Sequence, residues 1–478
     1  MATPPLVVDL DGTLIHTDLL HESLLKIFAK HPLKMLQVPF WLLRGKGALK
    51  RRLAVAVSPD VGLLPYNNAL LHWLRQQRSQ GRELILCTAS DLKLATAVAE
   101  HLGIFDHVMA SEGDSNLKGE AKARALNQRF GHGNFDYVGD SSADLSVWRQ
   151  ARRAIIVNPK AGLVKRVKDS CEVEKVFQPP SRGVVVWRRL LRLQLWLKNL
   201  LLFVPMLAAH QLTSLDTWLQ LFLAFLSFGV SASSIYIVND LLDLESDRQH
   251  PRKRYRPLAA GLVSFKLALL LVPLLLVGGL LLGTLVNGPF NQWLLLYLLI
   301  TCLYSLGIKR LVLIDCLTLA FLHTLRIVTG AAAAEIALSF WLLAFSVFIF
   351  LSLAFIKRYT ELKVQQTNNK TKAAGRGYYT ADAPMVQMLG ITSGFAAVLV
   401  LALYLNSEAV VRLYRNPYAV WGAVPVLLFW VNWMWLQAHR DNMHDDPLVF
   451  AVKDKVSLLA GGAFAIVMIL GTVDWPWS

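Results

Sequence analysis

Leu6-Val-Val-Asp9-Leu-Asp11-Gly-Thr-Leu14 opens the chain with an apolar run that ends in two carboxylates two residues apart. Such a run reads as a buried strand, and acids just beyond it stand at the carboxyl end of a sheet, where catalytic groups collect in open α/β folds. The rhythm continues to about residue 160: the runs 83–87, 137–138 and 154–157 alternate with helical patterns at 67–79 and 91–102. This alternation predicts a parallel, Rossmann-like α/β domain. Taken alone, the pattern D-x-D-G-T also fits a tight turn, so its meaning depends on the motifs downstream of it.

The 478 residues divide by charge. Residues 1–180 carry 24 Lys+Arg and 18 Asp+Glu, whereas the longer remainder carries 25 and 15. With 54% hydrophobic residues overall, that balance predicts a soluble head and a membrane tail, and it excludes disorder, collagen and coiled coil. Four scattered cysteines form no C-x-x-C pair, which argues against a thiolate metal cage and a disulfide scaffold. The net charge of +16 lies largely in short loops between apolar runs, so membrane orientation explains it and no nucleic-acid partner is expected. The start, Met-Ala-Thr-Pro-Pro, has no basic n-region, and no signal peptide is expected there.

Charge-free stretches run over 199–215, 217–239, 267–308, 336–356, 383–407, 416–439 and 456–473. One span needs about 20 residues, so 267–308, broken at Asn287-Gly-Pro, is read as a helical pair, and a further span fits at about 311–334. The expectation is an all-α polytopic domain of nine transmembrane helices. Alternate loops then hold 17 Lys+Arg on the side that shares Arg188, Arg189, Arg192 and Lys198 with the first span. The positive-inside rule puts that side, the head and the active sites in the cytoplasm, leaving the C-terminus outside the inner membrane. The expected boundaries are an α/β domain at 1–165, a linker at 166–186 rich in Lys, Pro and Glu, and a membrane domain at 187–478.

Downstream of the first motif, Thr88 follows the run Leu84–Cys87, Lys118 precedes a helix, and Gly139-Asp140-Ser-Ser-Ala-Asp144 follows Tyr137-Val138. In this order the motifs resemble the four signatures of the haloacid dehalogenase superfamily of phosphatases over about residues 5–160. The resemblance implies that Asp9 is the nucleophile and Asp11 the general acid and base. It also implies that Thr88 and Lys118 hold phosphoryl oxygens and that Asp9, Asp140 and Asp144 hold Mg²⁺. A small helical cap is expected at about 18–80. Its apolar face, flanked by Lys46, Lys50, Arg51 and Arg52, fits either contact with lipid headgroups or packing on its own core.

Beyond the second span stands Asn239-Asp240-Leu-Leu-Asp243-Leu-Glu-Ser-Asp247-Arg-Gln-His250-Pro-Arg-Lys253-Arg254-Tyr-Arg256. Spacings of three and four line Asp240, Asp243 and Asp247 along one helix face, where like charges repel by about 0.2–0.5 kcal/mol per pair. Such a face calls for a cation. Mg²⁺ bridging to a diphosphate fits, with Lys253, Arg254 and Arg256 taking the remaining phosphate charge. Arg326 falls mid-span at a cost of at least about 2.5–3.5 kcal/mol if unpaired. Lying three helical turns from Asp315, it fits either a cavity lining or an ion pair with that acid.

The N-D-x-x-D-x-x-x-D stretch resembles the first aspartate-rich motif of the UbiA superfamily of intramembrane prenyltransferases, over about 185–475. Leu191 to Asn199, the H-P-x-K-R-x-R-P segment at 250–257, and Tyr304-Ser305 with Lys309 and Asp315 are similar to the branch that includes decaprenyl-phosphate phosphoribosyltransferase. This resemblance implies Mg²⁺, a polyprenyl phosphate or diphosphate lipid and a phosphorylated sugar donor. The substrate-binding candidates are Asn239, Lys198, Lys253, Arg254, Arg256, Tyr304, Lys309, Asp315, Arg326, Lys357, Arg358 and Glu361. Where prenyltransferases commonly carry a second acidic motif, this chain has Lys357-Arg358-Tyr-Thr-Glu361, then Arg376 and Asp382. Phosphoribosyl transfer to a polyprenyl phosphate followed by removal of the ribose 5-phosphate is therefore expected. The alternative is prenyl transfer to an aromatic or other acceptor, with the head acting on a precursor. No oligomeric state is implied.

Overall fold

The computed structural model describes residues 3–473 apart from 31, 44, 58, 113–115, 180–182, 374–375, 408–409, 411–413 and 444–445. Two compact units divide the chain: Met1–Leu191 with Tyr236–Val272, and Arg192–Ile235 with Pro273–Ser478.

The first unit is built on six parallel strands, β1 (Leu6–Val8), β2 (Leu84–Asp91), β3 (His107–Ser111), β4 (Asp136–Gly139), β5 (Arg153–Val157) and β6 (Glu172–Phe177), in the order β3-β2-β1-β4-β5-β6. Strand periodicity sends Leu6 and Val8 into one apolar layer and Val7 into the other. Both faces are therefore covered, as a parallel sheet requires. Val8 pairs with Leu86 on one side and Val138 on the other. The ends of β1 and β4 thus adjoin at the point where the strand order reverses, which brings Asp9 and Asp140 together.

β6 occupies the stretch expected to be linker. Its position is an edge, where charged side chains can face solvent; Glu172, Glu174 and Lys175 are exposed. Their abundance is what made a strand read as a linker. The stretch expected to form the cap holds the helices Leu19–Lys30, Val38–Leu43 and Lys46–Ala56. It has its own small core of Ile27, Trp41, Leu49, Leu53 and Val57, while Leu36, Phe40 and Leu43 remain exposed. The side chain of Lys46 lies outside the described residues.

The second unit is helical. Counting helices that begin or end in the first unit, seven helices among the described residues are long and apolar enough to cross a membrane: Leu215–Leu242, Phe265–Thr284, Gly288–Leu306, Ile314–Ala333, Phe340–Thr367, Thr380–Leu405 and Tyr418–His439. An eighth candidate is the pair Val184–Leu190 and Leu193–Ala208, bent by 55°, and Lys455–Leu470 is a shorter apolar helix. The break read at Asn287-Gly-Pro is real: the Asn287 side chain caps Gly288–Leu306 by accepting from the Phe290 N–H at 2.8 Å. Small residues set the packing. A Cβ on Gly330 would collide with the Leu202 carbonyl, and one on Gly229 would enter the Trp196 ring. The chain is a multi-pass membrane protein.

Candidate active sites

In the α/β unit, Asp9 is buried and accepts from the Lys122 ammonium at 2.7 Å. Lys122 also donates to the Tyr137 hydroxyl at 2.9 Å, and that hydroxyl donates to Asp144 at 2.9 Å. The other Asp144 oxygen accepts from the Ser141 N–H and hydroxyl at 3.1 and 3.0 Å, fixing the loop that carries Asp140. Asp11 is held at both oxygens, by the Leu19 N–H at 2.9 Å and the Ser90 hydroxyl at 2.6 Å. Thr88 is fully buried beside it, its hydroxyl accepting from the Ser90 N–H at 3.1 Å. Gly12, at φ +78°, lets the turn close on Asp140, since a Cβ there would collide with that carboxylate.

Asp9, Asp11, Asp140, Asp144, Lys118, Lys122 and the cap residue Lys50 all line one cavity of about 400 Å³. The sequence pointed to Lys118. The structure adds Lys122, one helical turn further on, as the ammonium that touches Asp9. The sequence holds the signal, a second lysine at i+4, but not the means of choosing between the two.

Burial raises the Asp9 carboxyl to about 6, with Asp144 adding to the shift and Lys122 opposing it. Burial and then the Asp9 charge raise Asp140 to about 8. Asp11 is pushed up to about 7 by burial and by Asp18. Oxygens of Asp9, Asp140 and Asp144 lie within 4.8 Å of one another. Three crowded carboxylates of this kind suit a hard divalent ion such as Mg²⁺, so the residues present fit the expected metal.

In the segment 236–272, the expected single helix face is interrupted. Leu215–Leu242 ends before Asp243, and a separate helix, Leu244–Gln249, comes after it. Asp240 and Asp247 still converge, both accepting from the Arg256 guanidinium at 3.1 and 2.5 Å. Arg256 thus bridges two of the three acids, while Asp243 sits at the helix junction. The Asn239 side-chain oxygen is buried with no hydrogen-bond partner among the described residues, an acceptor still open to a donor or a metal ion. Lys253 and Arg254 are exposed beside this group, the latter stacked on Tyr255.

The remaining candidates form three groups in the helical unit. Arg326 is buried and donates to Asn199 at 3.3 Å, the Leu322 carbonyl at 2.8 Å and the Tyr297 hydroxyl at 2.7 Å. It does not pair with Asp315, which instead joins Arg358 and the Tyr378 hydroxyl. Arg358 also meets Glu361, and Arg376 links this group to the Tyr304 hydroxyl at 3.0 Å and the Lys309 carbonyl at 3.2 Å. Lys198 and Lys357 share Asp446, at 2.7 and 3.4 Å. Burial works to raise the Asp446 carboxyl, yet the two ammonium groups hold it well below the usual carboxylate range. Asp446 was not expected, because it lies 248 residues from Lys198 in a loop without a local motif.

An α/β half with a carboxylate and lysine site, joined in sequence to an apolar multi-helix half with buried polar clusters, defines a hydrolase domain fused to a membrane transferase. Residues 6–149 match the haloacid dehalogenase-like hydrolase family, and residues 200–468 match the UbiA prenyltransferase family. The second match covers more than half of the chain, which belongs to the UbiA prenyltransferase family and carries a haloacid dehalogenase-like hydrolase domain ahead of it. It is 38% identical to the protein y4nM of Sinorhizobium fredii, over 98% of this chain and 90% of that protein. It is 34% identical to nodulation protein NoeC of Azorhizobium caulinodans, over 58% of this chain and 90% of NoeC. The decaprenyl-phosphate phosphoribosyltransferase of Mycolicibacterium smegmatis is 29% identical, over 60% of this chain and 92% of the enzyme.

Proposed function

We propose that the membrane half transfers 5-phosphoribose from phosphoribosyl diphosphate to a polyprenyl phosphate, and that the α/β half then removes the ribose 5-phosphate. The observation that carries this reading is the state of the region formed by the last turns of Phe340–Thr367 and the loop after it. Its acids are engaged locally: Glu361 meets Arg358, and Asp382 accepts from the Tyr379 N–H at 2.8 Å. A second acidic metal cluster for a prenyl diphosphate is therefore not in place among the described residues, while the basic groups favour a sugar phosphate. The similarity to phosphoribosyltransferases points the same way.

In the transferase, Asp240, Asp243 and Asp247, with Asn239, would hold Mg²⁺ against the diphosphate, and Lys253, Arg254 and Arg256 would take phosphate charge. Bound there, the ion would neutralise the leaving diphosphate. Arg326 and the Lys198, Lys357 and Asp446 group would receive the lipid phosphate, whose oxygen attacks C1 of the ribose. Tyr304, Lys309, Asp315, Arg358 and Glu361 would shape the donor side.

In the phosphatase, the Asp9 carboxylate attacks phosphorus in line with the departing ribose oxygen. Asp11 gives that oxygen a proton, then withdraws one from the water that cleaves the aspartyl phosphate. Thr88, Lys118 and Lys122 would stabilise the phosphoryl oxygens. Asp9, Asp140 and Asp144 would hold Mg²⁺, which offsets charge on the same oxygens when bound.

The topology that suits these roles has nine crossings of the cytoplasmic membrane: the seven long helices, the bent pair and Lys455–Leu470. The α/β half and both sites are then cytoplasmic and the C-terminus lies outside. The decisive experiment incubates the full chain with Mg²⁺, a polyprenyl phosphate and ribose-labelled phosphoribosyl diphosphate. Wild type should yield lipid-linked ribose, Asp9→Asn lipid-linked ribose 5-phosphate, and Asp240→Asn neither. An absence of labelled lipid from intact wild-type protein would transfer the assignment to prenyl diphosphate donors.

A further inference from the structure

The cavity over Asp9 is not closed by the α/β domain alone. Part of its wall is made by Leu241, Leu244, Leu258, Val263 and Phe265, all from the segment 236–272 that the transferase half inserts into the first unit. This wall is fastened to the cap helix Leu19–Lys30. Glu22 accepts twice from the Arg248 guanidinium, at 2.9 and 2.8 Å, with both side chains buried. Arg248 also donates to the Ala259 carbonyl at 3.0 Å, and Lys26 pairs with Glu245 at 2.9 Å. Gly261 lies so close to His16 that a Cβ would stand 2.6 Å from the His16 Cβ, and the Phe265 ring is 5.2 Å from that of His21.

A phosphatase for a small soluble ester would face its leaving group with hydroxyls and charges that match a polar molecule. Here the segment lines the cavity with Leu241, Leu244, Leu258, Val263 and the half-buried Phe265 beside the exposed Ser264 and Lys266, a mixed apolar and polar surface. Two of them mark the ends of apolar helices: Leu241 is in the last turn of Leu215–Leu242, and Phe265 begins Phe265–Thr284. Apolar surface of this kind stabilises a ligand in proportion to the apolar area it covers.

We infer that the segment from Leu241 to Phe265 is a specificity-determining wall of the phosphatase site, and that the substrate is an amphipathic phosphate monoester whose apolar portion lies on Leu244 and Phe265 while its phosphate meets Asp9. The inference rests on the phosphatase reading given above. It adds that substrate selection in the α/β half is performed by residues of the transferase half.

The test uses the full chain in phosphatidylcholine nanodiscs and four probes: methyl and decyl ribofuranoside 5-phosphate, and methyl and decyl glucoside 6-phosphate. Released phosphate gives kcat/KM for each. The decyl-to-methyl ratio reads the wall and the ribose-to-glucose ratio reads the sugar. Partition of decyl probes into lipid raises the first ratio in every variant equally, so its change on substitution is the measure. Phe265→Ala and Leu244→Ala should each lower it about fivefold. Any loss of folded protein cancels within the ratio. A ratio unchanged in both variants overturns the wall whichever sugar is preferred. Hydrolysis with no ribose preference but an intact wall effect would sink only the ribose assignment, and no release from any probe overturns the phosphatase reading and the inference with it.

Discussion

Replacing Lys122 by methionine removes the ammonium that faces Asp9 and keeps the volume of the stem. Two unit charges 2.7 Å apart attract by about 6 kcal/mol at an effective dielectric of about 20. Desolvation of the pair offsets much of this, and losing one partner of a buried pair costs about 3–5 kcal/mol. Asp144, 3.9 Å from the same ammonium, loses its nearby cation too. Asp9 can escape part of the cost by taking up a proton, but a protonated Asp9 is no nucleophile. Stability and rate therefore fall together, and kcat should drop by about 10²–10³, the usual effect of removing one group that stabilises transition-state charge. The assay is Mg²⁺-dependent hydrolysis of p-nitrophenyl phosphate by the full chain, with a thermal-inactivation curve on the same sample. Lys118→Ala, which removes a cavity-lining ammonium without touching the Asp9 pair, should cost less in stability. A Lys122→Met enzyme that retains more than a tenth of wild-type kcat, beside a Lys118→Ala enzyme that loses a hundredfold, would reverse the assignment.

Gly12→Ala should abolish phosphatase activity in a chain that still inserts into membranes, because the new Cβ meets the Asp140 carboxylate at a positive φ; phosphate release after purification checks it. Chelation with EDTA should silence p-nitrophenyl phosphate hydrolysis and added Mg²⁺ restore it, as the clustered Asp9, Asp140 and Asp144 oxygens require; activity that persists in EDTA would remove the metal from this site. Asp446→Ala should lower the inactivation temperature, since it leaves the largely buried Lys198 and the half-buried Lys357 without their shared acid, at a cost of up to about 3–5 kcal/mol. The same substitution made together with Lys198→Met should recover part of that loss.

The parts of the fold that could be read in advance are those where one side-chain period repeats along a single element. β1, β2 and β4 show as apolar runs because both sheet faces are covered, and the acids that end them sit where topology predicts. β6 escaped because an edge strand is free to carry charge. The aspartate-rich segment was recognised from its spacing, but the helix break at Asp243 was not, since no Gly or Pro marks it. Partners remote in sequence were the least accessible. Nothing local to Arg326 names Asn199 or Tyr297, and nothing local to Lys198 names Asp446.

Arg326 and Arg358, two buried guanidinium groups of the helical unit, differ in how their charge is met, and that difference separates a binding role from a structural one. Arg358 is matched by Asp315 and Glu361, so its field is largely cancelled within the bundle. Arg326 is buried too, yet every hydrogen-bond acceptor it has among the described residues is neutral, and its charge rests on the faces of Tyr297 and Phe228 at 4.7 and 5.3 Å. A cation held by neutral groups in a low-dielectric bundle retains attraction for an anion, and a phosphate entering there gains what the interior has not supplied. The two should respond oppositely to removal of charge. Arg358→Met strands Asp315 and should destabilise by about 3–5 kcal/mol. Arg326→Met removes an uncompensated charge, so it should leave the inactivation temperature unchanged or higher while transferase activity falls by about a hundredfold. Equal destabilisation in both variants, with transfer activity lost only in proportion to folded protein, would make Arg326 a packing residue and leave the lipid phosphate to Lys198 and Lys357.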